Sequence, residues 1–312
     1  MTPQRMPPNP YVTVQPDTPP GGSGSGGTVG DDTKGSNRNR KLLQFSSMKS
    51  IDWVAKGKVT SVKNQGSCGN CWAMAGTAAI ESALLIAAAN ASATATATGI
   101  DLSEQEITQC VGGYFGYYNS LACISGQVPD VFDYAGKYNI TGESKMPYAA
   151  GSTGFAGACI PELIYIPANN PVTRLYATPS QGASVPRNAT ELWKALSVRP
   201  VVVYINLNNG FQFYSSGVYP YASCPASGDG YTNHALLVTG YKPAATVCVS
   251  RRSCTTTPAH WIMKQSWGTG FGMSGYVKLE SRSGGDGSCN MYVNGGMYPI
   301  PGTLPKPIVY PS

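Results

Sequence analysis

The sequence predicts an α+β fold in which helices precede strands. Two patterns carry this expectation. The first half of the chain holds an apolar, alanine-rich run starting at Cys71 and a second helical run opening at Ser103. The second half holds short runs rich in Val, Ile and aromatic residues, bounded by turn residues. Composition is the third observation. The chain is 42% hydrophobic, enough for a buried core, but only 12% charged, which describes a loop-rich surface rather than long charged helices.

The elements follow in order. Residues 1–47 are Pro- and Gly/Ser-rich without apolar periodicity, so they are expected to form a tail that buries too little surface to fold alone. A protein partner is the expected means of holding such a tail. Composition changes near Ser47, which sets a domain over 48–302 and a Pro-rich C-terminal tail over 303–312. Residues 71–89 are Ala, Met, Ile and Leu with a single Glu81 and read as a buried helix. The apolar part, 73–89, is too short for a membrane span and contains that carboxylate, so none is expected. Residues 92–98 read as a surface insertion.

Ser103 and Glu106 have capping-box spacing and open the second helix. A third helix is expected over 127–139. A fourth is capped by Thr190 and runs to Leu196, before Pro200. Strands are expected over 201–207, 235–241, 260–265 and 275–280. Helices first and strands second give two packed halves, and a cleft between such halves is a usual place for a ligand.

Charge excludes one class of partner. The net charge of +6 is spread along the chain, with one local run over 38–41, and forms no basic stripe of the kind nucleic-acid binding requires. Nine cysteines point instead to disulfides in an oxidising compartment, lysosomal, vacuolar or extracellular, with one thiol left over. Cys68 and Cys71 form one C-x-x-C, but no second pair follows at zinc-finger distance, so neither a metal nor another cofactor is expected. Asn90, Asn139 and Asn188 each open an N-x-S/T triplet and are candidate glycosylation sites in that compartment. No apolar signal segment begins at Met1.

The segment Gln65-Gly66-Ser67-Cys68-Gly69-Asn70-Cys71-Trp72-Ala73 carries the chemistry. A thiolate is the reactive form of cysteine, and a helix N-terminus or a protonated histidine favours it. Cys71 opens the predicted helix, and the glycines before it allow a tight turn. The chain has two histidines. His234 lies in Asn233-His234-Ala235 at a strand start, whereas His260 precedes Trp261 and reads as structural.

With these motifs the sequence resembles the papain family of cysteine peptidases. The resemblance also covers Asp52-Trp53, Ile80-Glu81, the run Leu102-Ser103-Glu104-Gln105-Glu106 with Cys110, and Ser266-Trp267-Gly268-Thr269-Gly270. The motifs occur in family order from about residue 50 to 300. The resemblance implies a two-lobe fold: a helical left lobe, a β-barrel-like right lobe, and the active site in the cleft between them. It implies a cysteine endopeptidase with peptide or protein substrates and an acyl-enzyme intermediate. No paired-histidine loop of the exopeptidase kind is present.

The roles it implies fall on named positions. Cys71 is the nucleophile, His234 its base, and Gln65 an oxyanion-hole donor. The family places an asparagine before Ser-Trp-Gly to hold the histidine. Here Gln265 stands there, one methylene longer, which leads the sequence reading to expect reduced activity. Trp267 shields that bond. Gly69 and Gly126 match positions that bind peptide backbone, and Gln127, Val128, Thr232, Ala235 and Asn294 match the main specificity pocket, with Asn294 as a polar floor. Ile124-Ser125 departs from the family's Asn-Gly at the cleft rim. The implied disulfides are Cys68–Cys123, Cys110–Cys159 and Cys224–Cys289, with Cys248–Cys254 in a longer segment of its own. Residues 1–47 do not resemble the family's helical, charged inhibitory segment. Together with Gln265 and the altered rim, this leaves an alternative open: a papain-fold protein with weak or no catalysis and a structural or binding role.

Overall fold

The computed structural model describes residues 48–90, 97, 99–111, 119–138, 140–160, 182–225, 230–250 and 253–300. Both expected tails, Asn139 and nearly all of the expected insertion at 92–98 lie outside them.

Helix α1 spans Cys71–Asn90. Its residues from Cys71 to Leu85 are buried on every side, which is why the sequence there is apolar without a polar face. At 20 residues with a mean hydropathy of 1.5, it is long and apolar enough to cross a membrane, contrary to the length expected from the sequence, but 89% of that stretch is buried inside the protein. Helix α2, Glu104–Glu106, continues as a π-helical turn over Ile107–Val111. The Ser103 hydroxyl accepts from the Glu106 N–H, as its spacing predicts. The other half of the box does not form. The Glu106 carboxylate instead accepts from the Tyr134 hydroxyl at 2.8 Å and the Thr141 N–H at 2.7 Å.

Helix α3 spans Val128–Tyr138 and packs against α1. A Cβ on Gly76 would sit 2.9 Å from the Val131 side chain, so the absence of a side chain there sets the distance between the two helices. Helix α4 is the single turn Ala150–Thr153. Helix α5 spans Ala189–Val198, and its cap differs from the expected Thr190. Asn188 is extended and its side chain accepts from the Glu191 N–H at 2.9 Å. Both residue types cap well, and here the helix begins two residues earlier than Thr190 as cap would allow.

The strands are β1 (Ile51–Asp52), β2 (Ala183–Val185), β3 (Val201–Ile205), β4 (Val218–Tyr219), β5 (His234–Lys242), β6 (Ala245–Ser250), β7 (Ser253–Thr257), β8 (His260–Lys264), β9 (Tyr276–Glu280) and β10 (Gly296–Tyr298). An eight-stranded sheet runs β2-β10-β3-β5-β8-β9-β4, with β1 added on β5. β6 and β7 form a separate exposed hairpin.

Strands β3 and β5 form the wall between two cores. Side chains alternate between the faces of a strand. Accordingly Val202, Tyr204, Ala235 and Leu237 face a core built with α1, α2 and α3. Val201, Val203, Ile205, Leu236 and Val238 face a second core with Trp53, Leu192, Leu196, Trp261 and Leu279. This two-sided burial explains why both strands read as continuous apolar runs. The mixed architecture, a helical lobe on one side and a sheet lobe on the other, is the expected α+β two-lobe fold. The disulfides are Cys68–Cys123, Cys110–Cys159, Cys224–Cys289 and Cys248–Cys254, and Cys71 is the free cysteine. Cys248 and Cys254 face each other across the β6–β7 hairpin.

Candidate active site

The site forms where the N-terminus of α1 meets the start of β5. Cys71 is the first residue of α1 and His234 the first of β5. Register along β5 then fixes the neighbour. The Ala235 N–H donates to Cys71 Sγ at 3.4 Å, which sets the sulfur beside the His234–Ala235 junction. Burial pushes the Cys71 thiol up to about 11; the Ala235, Trp72 and Cys71 backbone N–H groups oppose this by favouring the thiolate. Burial likewise pushes His234 down to about 4, and its bond to Gln265 acts the other way. Burial thus opposes charge on both groups, and the polar groups around them favour the charged forms.

Gln265 follows β8 directly, beside β5 in the sheet. Its Oε1 lies 2.6 Å from His234 Nε2. The same oxygen accepts from the Ser266 N–H at 2.9 Å. The longer side chain thus reaches the ring, and two donors fix which way the amide points. Trp267 lies against the imidazole, with ring centroids 5.2 Å apart, and is itself held edge-on by Phe211 and Phe271.

Gln65 is buried in the same region. Its Oε1 accepts from the Ser266 hydroxyl at 2.6 Å and its Nε2 donates to the Cys68 carbonyl at 2.8 Å. This turns the amide nitrogen toward the Cys68–Cys71 loop. Sequence reasoning did not single out Ser266 for this purpose. It bridges both amides through adjacent atoms, and its only sequence signal was its place in the Ser-Trp-Gly run.

The expected substrate-binding residues are arranged as follows. The Gly69 N–H donates to the Cys123 carbonyl at 2.8 Å, and a Cβ on Gly69 would meet that oxygen at 2.5 Å. Gly126 lies flat on the Trp72 indole, where a Cβ would come within 2.2 Å of the ring. Gln127 is almost fully buried, and its Oε1 accepts from the Tyr204 hydroxyl at 3.5 Å. Asn294 Nδ2 donates to Thr232 Oγ1 at 2.9 Å, which joins the two polar candidates. Val128 and Ala235 are buried. On the other side of His234 a pocket of ≈ 170 Å³ is lined by the amide side chains of Asn208, Asn209, Gln212 and Asn233 and by Trp267. His260 is remote in role, with Nδ1 2.8 Å from the Pro258 carbonyl.

Beneath the site lies a charged cluster that the sequence reading missed. Lys63 bonds Glu104 at 2.8 Å and Asp101 at 2.5 Å, with Glu81 at 3.8 Å. Glu81 also accepts from the Leu102 N–H at 2.8 Å and from the Thr60 hydroxyl, which in turn accepts from Lys264 at 3.1 Å. Burial disfavours charge on Lys63, but Glu81, Glu104 and Asp101 outweigh it and hold its pKa above the usual lysine range. The available signal was Glu81 itself, since a carboxylate in a helix buried all round requires partners. Among the described residues no cluster of three or more His, Cys, Asp or Glu could hold a metal ion.

A two-lobe α+β fold with a free cysteine at a helix N-terminus and a histidine opening the facing strand defines a thiol peptidase architecture. The model of the papain family cysteine protease matches residues 47–298, and the chain belongs to that family. It is 34% identical over 234 residues to the thiol protease SEN102 of Hemerocallis sp., covering 74% of this chain and 54% of that protein. It is 35% identical over 235 residues to the senescence-specific cysteine protease SAG12 of Arabidopsis thaliana, covering 74% of this chain and 56% of that one. The aligned part thus spans about half the length of these relatives. Among solved structures, the bromelain protease from Ananas comosus in complex with the E64 inhibitor superposes with a TM-score of 0.61 at 29% identity, covering 81% of this chain and 99% of that one.

Proposed function

We propose that the chain is an active cysteine endopeptidase, carried by a peptidase unit over residues 48–302. The observation that carries this reading is the 2.6 Å contact between Gln265 Oε1 and His234 Nε2. Gln265, which departs from the family pattern, thus still offers the ring an acceptor. With Nε2 engaged, Nδ1 of His234 takes the proton from Cys71. The sulfur attacks the scissile carbonyl carbon, and the carbonyl electron pair moves onto oxygen, where the Gln65 amide and the Cys71 N–H donate to it. Collapse breaks the C–N bond as His234 passes its proton to the leaving nitrogen, leaving a thioester on Cys71. Water, deprotonated by His234, then attacks the thioester carbon; collapse breaks the C–S bond and releases the carboxylic acid, and the proton returns to sulfur.

Gly69, Gly126, Gln127, Thr232, Ala235 and Asn294 form the acyl side of the cleft in this reading, and Trp267 covers the histidine bond. Four disulfides suit an oxidising compartment, vacuolar, lysosomal or extracellular, with exposed Asn90 and Asn188 as glycan acceptors. Burial, which opposes charge on both Cys71 and His234, favours a second reading, a papain-fold protein without turnover.

Treatment with an irreversible peptidyl epoxide separates the two. Stoichiometric modification of Cys71, absent in Cys71→Ala, is the expected result. Folded, reduced protein that remains unmodified would sink the peptidase reading and leave the scaffold one.

A further inference from the structure

Gln265 has a second end. Its Nε2 is buried and meets no hydrogen-bond partner, although its Oε1 has two. An orphaned buried amide donor is uncommon and points to an occupant. Gln265 also lines a small, partly open cavity of ≈ 20 Å³ between α1 and the sheet, whose walls combine Gln265, Ser266, Glu104, Lys63 and Lys264 with apolar side chains of α1 and β5. That volume admits one water, and beside an apolar wall the lining supplies the polar partners such a water needs. A water accepting from Gln265 must in turn donate. The two lysines lining the cavity are donors only, so the Glu104 carboxyl is the charged group available to accept. Glu104 is 1% exposed and fixed by Lys63 at 2.8 Å.

We propose that Glu104 is a positioning residue for the candidate catalytic imidazole, acting through one water in this cavity and through the Gln265 amide. The sequence is His234 Nε2–H to Gln265 Oε1, Gln265 Nε2–H to water, water to the Glu104 carboxyl. Its significance for turnover rests on the peptidase reading above; the arrangement itself does not. Gln265 thus links the histidine to the lysine–carboxylate cluster as well as holding it. Lys63, Glu81, Asp101, Glu143, Tyr148 and Lys264 all interact electrostatically with Glu104 or with one another there, and Cys71 Sγ lies at the Ala235 N–H, next to His234 in β5.

The test compares Glu104→Gln with Glu104→Met in the resting full chain. The first keeps an acceptor oxygen without the charge; the second removes it. Lys63 keeps Asp101 at 2.5 Å in either variant, which supports folding. The readout is the titration of His234 by ¹⁵N NMR, which needs no substrate and is independent of epoxide labelling. Glu104→Met is expected to lower the proton affinity of His234 roughly tenfold, as loss of one anchoring hydrogen bond would, while Glu104→Gln stays near wild type. Equal shifts in both variants would mean through-space charge and overturn the proposal, as would no shift in either. Should Glu104→Met not fold, a high-resolution crystal structure of the wild-type chain decides. A water bridging Gln265 Nε2 and Glu104 supports it, and a cavity with no such water overturns it.

Discussion

Replacing Gln265 by methionine keeps length and approximate volume while deleting the amide. Two buried donors then lose their acceptor: His234 Nε2–H, at 2.6 Å, and the Ser266 N–H, at 2.9 Å. The bond to the ring strengthens when the imidazole is charged, and hydrogen bonds to charged groups contribute about 1.5–3 kcal/mol. If that bond exists in full only as proton transfer proceeds, kcat/KM on a fluorogenic peptide falls roughly 10- to 150-fold, at 1.36 kcal/mol per factor of ten. The orphaned Ser266 N–H separately costs about 1–3 kcal/mol of folding stability, read from the urea midpoint. Gln265→Asn is informative beside it. Shortening the side chain by one methylene withdraws the acceptor from a ring positioned for the longer residue, and misplacement on the order of 1 Å costs about 100-fold. Under the peptidase reading, the asparagine the family uses is thus expected to slow turnover. A methionine variant with native unfolding and kcat/KM within about twofold of wild type would refute the assignment of Gln265 to His234.

Burial pushes Glu106 up to about 7 from a model-peptide value of 4.5, opposed by its bonds from the Thr141 N–H and Tyr134. The folded state therefore binds this proton more tightly than the unfolded state. Its contribution is complete below pH 4.5 and is lost as pH rises through about 7. Urea midpoints should show a component of up to about 3 kcal/mol declining across that window, absent in Glu106→Gln. Asn188→Ala removes the cap of α5 and should lower stability by about 1 kcal/mol, whereas Thr190→Ala should change it little; the reverse order in thermal melts would show that the cap is at Thr190.

Much of this architecture is legible in residue order because long elements carry long patterns. The Ala/Leu/Ile run after Cys71 and the Val-rich run at Val201–Ile205 announce themselves, as both are buried on all sides. Strands β1, β2, β4 and β10 have two or three residues each, too few for any periodicity to register. The β6–β7 hairpin is exposed throughout and lacks an apolar face to read. At the site, the identities of Cys71, His234, Gln65 and Gln265 came from local motifs. Whether Gln265 could reach the ring did not, since reach depends on how β5 and β8 align in three dimensions. The Lys63 cluster was hidden for the same reason, its members being drawn from the segments before α1 and α2, from both helices and from β8.

Cys68 and Cys71 stand one helical step apart, yet only the first is bridged to Cys123. In an unfolded chain the two thiols compete for the same partner on nearly equal terms, because the loops they close differ by three residues. What separates them in the folded protein is place: Cys71 lies in the first turn of α1, and Cys68 in the loop before it, at the bridge to Cys123. Correct pairing therefore depends on that helix being in place before oxidation at Cys123. A chain that unfolds while oxidant is present can capture Cys71 in the wrong bridge and lose its way back. The lifetime of such a protein outside the cell is then set by how rarely the helix opens, a rate, rather than by its equilibrium stability.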